Sequence, residues 1–230
     1  DRKIKLEWMA AGYDRSRTRA YATTWETNGE SVTIHSTMSV AAVALQRVLD
    51  MEAQWNISAA GEITVTMQVK KNMEFPQLPR FGLRLFLKEE YEGLKFYGLG
   101  PHESYVDKHR SCSHGLYETT VADQHEDYLR PQENGSHTDC DYMMIEREDR
   151  TFAAVAPEPF AFNVSYYTQE ELTRKAHNFE LEKSGSTVVC LDYAQNGIGS
   201  NSCGPELRKE YRLDQETFTF EMKLLFGKEW

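Results

Sequence analysis

Glu103, Asp107, Glu126, Asp127 and Glu133, interleaved with His102, His109, His114, His125 and His137, are the side chains of this sequence whose types could do chemistry. Two carboxylates on either side of a sugar can hydrolyse a glycosidic bond, one as acid and the other as nucleophile or base. Spacing along the chain sets no two of them at the separation that reaction needs, so catalysis is not the expected role of the cluster. A metal centre is not expected either, because no His pair falls at i, i+4 on a helix and no ligand spacing repeats. Four of these residues belong to two loops, one running from Gly98 through Gly100, Pro101, His102, Glu103 and Tyr105 to Asp107, the other from Arg130 through Glu133 and Asn134 to Gly135, and the rest lie nearby in sequence. In the second, Asn-Gly after Pro-Gln-Glu predicts a tight turn with Gly135 at positive φ. In the first, Gly98, Gly100 and Pro101 predict a bend after a strand, since no helix follows as a phosphate-binding glycine loop requires. Both loops are suited to contact a sugar or a neighbouring domain.

A third loop runs from Gly197 through Ile198, Gly199, Ser200, Asn201, Ser202, Cys203 and Gly204 to Pro205. Its small side chains let backbone approach a ligand or a neighbouring domain closely. Cys203 has no adjacent His or Lys to lower its pKa, so a nucleophilic thiol is not expected.

The elements that must hold these loops are strands. Ile63, Val65, Met67 and Val69 alternate with Thr64, Thr66 and Gln68. The same alternation predicts half-buried strands at Phe160 to Tyr166 and at Phe218 to Leu224. Shorter β-rich runs at Val32 to Ile34, Leu83 to Leu87 and Thr187 to Leu191 are separated by Asn28-Gly29, Ala60-Gly61 and Ser184-Gly185 turns. One helix start is convincing. Thr168, Gln169, Glu170 and Glu171 form a capping box, with Leu172, Ala176 and Phe179 as an apolar stripe, which predicts a short helix near residues 169–176. Parallel α/β architecture, a (β/α)8 barrel included, needs a helix between successive strands and is excluded. The reading is all-β and antiparallel, one domain over 1–230, with no internal repeat or low-complexity linker.

Composition narrows the partners. A net charge of −10 disfavours nucleic acid, which needs clustered cations to release counterions. Arg15, Arg17 and Arg19 alternate with small polar residues and read as a solvated strand face. With a mean hydropathy of −0.63 and no long apolar run, no membrane span is expected. Four cysteines, Cys112, Cys140, Cys190 and Cys203, without C-x-x-C spacing, argue against zinc and a disulfide framework and for a reducing, cytoplasmic setting.

Taken in order, Trp8 with Ala10-Ala11-Gly12-Tyr13, Gly98-Leu99-Gly100-Pro101 with Glu103, Tyr105 and Asp107, Tyr128 with Pro131, Glu133-Asn134-Gly135, and Gly197-Ile198-Gly199 through Pro205 resemble the C-terminal domain of glycoside hydrolase family 2 β-galactosidases. The resemblance covers nearly the whole chain. It implies an antiparallel super-sandwich of the galactose mutarotase type, within an enzyme that hydrolyses terminal non-reducing β-D-galactose residues such as that of lactose. It implies no catalytic residue here, since the family's two glutamates, its magnesium and often a monovalent cation belong mainly to a (β/α)8 barrel. No cofactor or metal site is therefore expected on this chain, and its partners would be the parent's other domains, galactoside substrate and further copies of the enzyme.

In the family the third loop completes the mouth of the active site, which implies that Ser202, Cys203 and Gly204 form a substrate-binding rim. Some members present a Trp where Cys203 stands, so weaker or different aglycone selectivity is expected. His102, Glu103, Tyr105, Asp107, Glu133 and Asn134 are the candidates for sugar or interface contacts. The family domain begins several strands before the Trp8 segment, so Asp1 is expected to lie inside the domain, leaving an unpaired edge that invites self-association. Two competing readings are a freestanding carbohydrate-binding module using Tyr105, Glu103 and Glu133, and an aldose epimerase with a His and Glu pair, the latter on fold analogy alone.

Overall fold

The computed structural model describes residues 4–198 and 205–227. Its elements in chain order are helix α1 (Ile4–Ala10), strands β1 (Arg17–Thr27), β2 (Ser31–Ala41), β3 (Arg47–Ser58), β4 (Glu62–Lys71), β5 (Arg80–Lys88), β6 (Gly93–Gly100), β7 (Ser113–Thr120), β8 (Ser136–Arg147) and β9 (Arg150–Ser165), helix α2 (Gln169–Arg174), and strands β10 (Ser186–Gln195) and β11 (Thr217–Gly227). The all-β antiparallel class expected from the alternation is what forms.

All eleven strands join one sheet, in the order β1-β2-β3-β4-β11-β9-β8-β6-β7, with β10 on β9 and β5 on β10. The sheet folds on itself because β9 is long enough to serve both halves. Phe152 to Val155 of β9 pair with Lys223 to Phe226 of β11, whereas Ala161 to Ser165 pair with Val188 to Asp192 of β10. A larger layer led by β1–β4 and β11 therefore faces a smaller one of β5, β10 and the second half of β9. Between them Phe81 of β5 meets Phe218 and Phe220 of β11 edge-on at 5.0 and 6.0 Å, and Tyr193 of β10 stacks on Phe218. Aromatic pairs in this geometry add to the burial energy of the core.

On β4 and β11 the predicted alternation holds: Val65, Met67, Val69, Phe218, Phe220, Met222 and Leu224 are buried. The expected wet face of Phe160 to Tyr166 is corrected. Ala161 and Asn163 are buried along with their neighbours, and Thr187 to Asp192 of β10 are buried on both faces as well. The cause is a second cover over the smaller layer. Asn163 donates to the Asn134 carbonyl at 2.6 Å, and Gln169 of α2 donates to Cys190 Sγ at 3.3 Å.

The helix expected at 169–176 forms, one and a half turns long, with Thr168 Oγ1 accepting from the Glu171 amide at 3.1 Å. The reciprocal half of the capping box is replaced: Glu171 Oε1 accepts from the Glu182 amide and pins the segment after the helix. Ala176 lies beyond the helix end, and Phe179 is 85% exposed, so the stripe reduces to Leu172. Helix α1 was not foreseen; it buries no residue fully, and Trp8 fixes it by donating to the Gln77 carbonyl at 2.9 Å. The turn glycines Gly29, Gly61 and Gly185 adopt positive φ as the Asn-Gly, Ala-Gly and Ser-Gly pairs predicted. Arg17 and Arg19 lie on an edge strand exposed along its whole length, as expected of a solvated face, and Arg15 precedes it in a 3-10 turn. Among the described residues Cys112, Cys140 and Cys190 are unpaired, and no helix is long and apolar enough to cross a membrane.

Candidate functional site

Strand β6 delivers the first loop, and β8 begins where the second ends, so both loops cover the same end of the molecule. The link is Glu103. Its buried carboxylate accepts from the Tyr128 hydroxyl, from Lys108 Nζ, and from the Gly135 amide at 2.8 Å. Burial alone would lower the Lys108 pKa, but the hydrogen bonds to Glu103 and Tyr128 outweigh it and raise that pKa. Tyr105 is fully buried, and its hydroxyl accepts from the Ser136 amide at 3.3 Å; burial, then Glu133 and Glu103 nearby, keep it a phenol. Glu103 and Tyr105 thus bind the loops to each other and turn no free polar atom outward.

Gly135 takes φ +70 as predicted, and a Cβ there would overlap the Gln124 carbonyl. Asn134 holds the turn on both sides, accepting from the Glu126 amide at 3.1 Å and donating to the Gln132 carbonyl at 2.9 Å. Glu133 accepts from Ser136 Oγ at 2.9 Å and from Arg80 at 3.1 Å. Arg80 in turn grips Asp192 of β10 through two nitrogens. Burial opposes the charge on Arg80, yet Asp192 and Glu133 overcome it and raise its pKa well above normal. For Asp192 burial is the larger influence and raises its pKa, with Arg80 pulling the other way. Asp192 is buried and Arg80 partly so, and removing the arginine would leave the Asp192 carboxylate without its cation.

Asp107 points to the third loop. Its Oδ1 accepts from the Ile198 amide at 2.9 Å, and a Cβ on Gly197 would overlap its carboxylate, so only glycine permits the approach. Asn196 completes the anchorage, donating to the Leu78 carbonyl and accepting from the Leu213 amide at 3.1 Å. Two clefts flank this anchor. One of about 190 Å³ is lined by Trp8, Gln77, Asp107, Asn196, Ile198 and Arg212. The other, about 590 Å³, is lined by Lys108, His109, Arg110, Pro205, Arg208 and Tyr211 among others. His102 is exposed within the first loop. Ser202, Cys203 and Gly204 lie outside the described residues, although their flanks Ile198 and Pro205 border the two clefts.

His137 is the one histidine of the cluster in the core. Its Nδ1 meets the Leu99 carbonyl at 3.0 Å, and its ring lies 4.2 Å from that of Phe96. Burial pushes its pKa down to about 4, so the ring is neutral at pH 7. Among the described residues no three His, Cys, Asp or Glu side chains converge as metal ligands.

The arrangement is a set of loops tied down by ionic and hydrogen bonds around two open clefts, with its buried carboxylates already engaged. Such a site can present a loop to a ligand. The family model described as beta galactosidase small chain matches residues 1–224. The chain belongs to that family. A β-galactosidase of Actinobacillus pleuropneumoniae is 42% identical over 228 residues, covering 99% of this small chain and 22% of that protein. One of Staphylococcus xylosus is 36% identical over 226 residues, covering 98% of the small chain and 23% of that protein. The small chain therefore spans less than a quarter of the length of these relatives. A crystal structure of galactose 1-epimerase from Lactobacillus acidophilus matches 94% of the small chain and 67% of its own length, at 9% identity and a TM-score of 0.46.

Arg80, Lys108, Asn163, Asp192 and Asn196 belong to the site and were not foreseen. Arg80 and Asp192 are 112 residues apart and Asn163 bonds Asn134 29 residues away, pairs that no local spacing marks, whereas Lys108 meets Glu103 only five residues away in the first loop.

Proposed function

We propose that this chain is a noncatalytic C-terminal domain of a glycoside hydrolase family 2 β-galactosidase, a cytoplasmic oligomeric enzyme that hydrolyses terminal non-reducing β-D-galactose residues, lactose among them. The observation that carries this reading is the match to the small-chain family over residues 1–224. The chain's part is to hold the loop of Ser202, Cys203 and Gly204 at the rim of an active site built by other domains, where the magnesium also resides. The clamp of Asp107 on Ile198 supports that role, because it fixes the base of this loop against the first one. The internal bonding of Glu103 and Tyr105 weighs against a module that binds sugar through them. The neutral, fully enclosed His137 likewise weighs against epimerase chemistry at that residue.

A cysteine at the rim offers far less stacking surface to a sugar than a tryptophan would. Cys203→Trp in the full-length enzyme is accordingly expected to change KM for lactose by about tenfold, on the order of one aromatic contact. The check is steady-state kinetics on lactose, and an unchanged KM would contradict the rim assignment.

A further inference from the structure

Phe75, Pro76, Gln77, Leu78 and Pro79 lie in the connection between β4 and β5, outside any strand, and all are buried or half-buried. Their backbone carbonyls need donors, and a segment without a ladder must find them elsewhere in the fold. Each carbonyl has one. Lys71 Nζ donates to the Phe75 carbonyl at 2.8 Å, the Tyr13 hydroxyl to that of Pro76 at 2.7 Å, and Trp8 Nε1 to that of Gln77 at 2.9 Å. Asn196 supplies the last two, its side-chain amide on Leu78 and its backbone amide on Pro79 at 3.0 Å.

The donors come from the N-terminal segment, the end of β4 and the residue that follows β10, so the connection ties three parts of the chain together. It is stiff as well as bonded, because Pro76 and Pro79 fix their own φ. Its anchors are themselves held. The Lys71 side chain is fully buried with Asp214 Oδ1 at 3.0 Å, and the Tyr13 ring stacks on Phe75 with centroids 6.5 Å apart. At the far end the Leu78 amide donates to the Leu213 carbonyl at 2.9 Å and the Leu213 amide to Asn196 Oδ1, which encloses Asn196 in bonds. Asn196 directly precedes Gly197 and Ile198, the base of the third loop that Asp107 grips. A continuous run of bonds therefore leads from Tyr13 and Lys71 to that base, although neither residue borders the two clefts beside it.

We propose that residues 75–79 are a strut that positions the base of the third loop, which makes Tyr13 and Lys71 positioning residues for the aglycone side of the active site. The proposal rests on the reading of this chain as a β-galactosidase domain whose third loop borders substrate. Neither side chain touches sugar; each acts through the strut and Asn196. Loosening the strut frees Asn196 and Ile198 to shift, so the loss falls on binding of the sugar beyond the galactosyl group and not on bond cleavage.

Steady-state kinetics of the full-length enzyme on lactose and on β-D-galactosyl fluoride, whose leaving group is a single atom, test the proposal. Tyr13→Phe with Lys71→Met is expected to raise KM for lactose about fivefold, the scale of one neutral hydrogen bond, with kcat within about twofold and KM for the fluoride unchanged. Tyr13→Phe alone, which removes one oxygen atom and leaves the ring on Phe75, is expected to raise KM for lactose about twofold. A variant that is merely less folded loses kcat on both substrates at unaltered KM. That result would overturn the proposal, as would an unaltered lactose KM or an equal rise in KM for both substrates. A second arm needs no turnover. In the full-length double variant the amides of Asn196 and Ile198, bonded to Pro79 and Asp107, are expected to exchange hydrogen about tenfold faster, while those of Tyr142 to Ile145 in β8 keep their rate. Equal acceleration in both segments, or none in either, would overturn the strut. An unaltered enzyme that hydrolyses neither substrate would overturn the galactosidase reading instead, and the exchange result would still decide the strut.

Discussion

Arg80→Met is expected to destabilise the fold by about 3 to 5 kcal/mol, because it strands the buried Asp192 carboxylate without its cation. For a chain of this size that corresponds to a fall in Tm on the order of 10 °C. The double variant Arg80→Met with Asp192→Leu is expected to recover much of the loss, since it removes the buried carboxylate along with its partly buried cation. The third participant makes the pair more than structural filling. Glu133 also accepts from Arg80, so the single variant removes one tie of the loop of residues 130–135 as well as the one on β10. Thermal melts of the two variants check both expectations. A single variant melting within a few degrees of the unaltered chain would contradict this account of the site.

Lowering the pH from 7 to 4 is expected to remove about 3 kcal/mol of stability through His137 alone. Burial holds its folded pKa down at about 4, against roughly 6.5 in the unfolded chain. Between those values the unfolded state binds a proton that the folded state does not, so stability rises with pH. The contribution is complete above pH 6.5 and is lost as pH falls toward 4. Nδ1 faces the Leu99 carbonyl at 3.0 Å and Nε2 faces Gln124 Oε1 at 2.5 Å, and burial is the larger influence that holds the ring neutral. Carboxylates titrate in the same range, so the informative comparison is with His137→Gln. Urea unfolding at pH 7 and pH 4 is expected to show the gap between the two proteins shrinking by about that amount. A gap independent of pH would contradict a buried neutral His137.

The strands were legible because their signal is local. Val65, Met67 and Val69, or Phe220, Met222 and Leu224, alternate with polar residues in a way that a half-buried strand needs. The turn at Gly135 was legible for the same reason, since Asn-Gly carries its own conformational preference. Asn163 and Ala161 misled because small or polar residues on a strand also occur under a second cover, and that cover comes from residues 124–136 and α2. Glu171 showed the limit of a motif: its first hydrogen bond formed as a capping box predicts, and its carboxylate found Glu182 instead. In the site, Glu103 and Glu133 were singled out by residue type and loop, but their roles as internal ties depend on Lys108, Tyr128 and Arg80. The Tyr128 and Arg80 contacts join residues 25 and 53 positions apart, which residue spacing does not encode, while Lys108 reaches Glu103 within one loop.

The central claim is that this small chain supports a β-galactosidase active site without supplying its catalyst. Lactose hydrolysis by the full-length enzyme and by the 230-residue chain, assayed side by side at equal molar concentration, tests it most directly. The account predicts turnover by the full-length enzyme and none above background by the chain alone. Hydrolysis by the chain alone, or a full-length enzyme that leaves lactose intact, would contradict it.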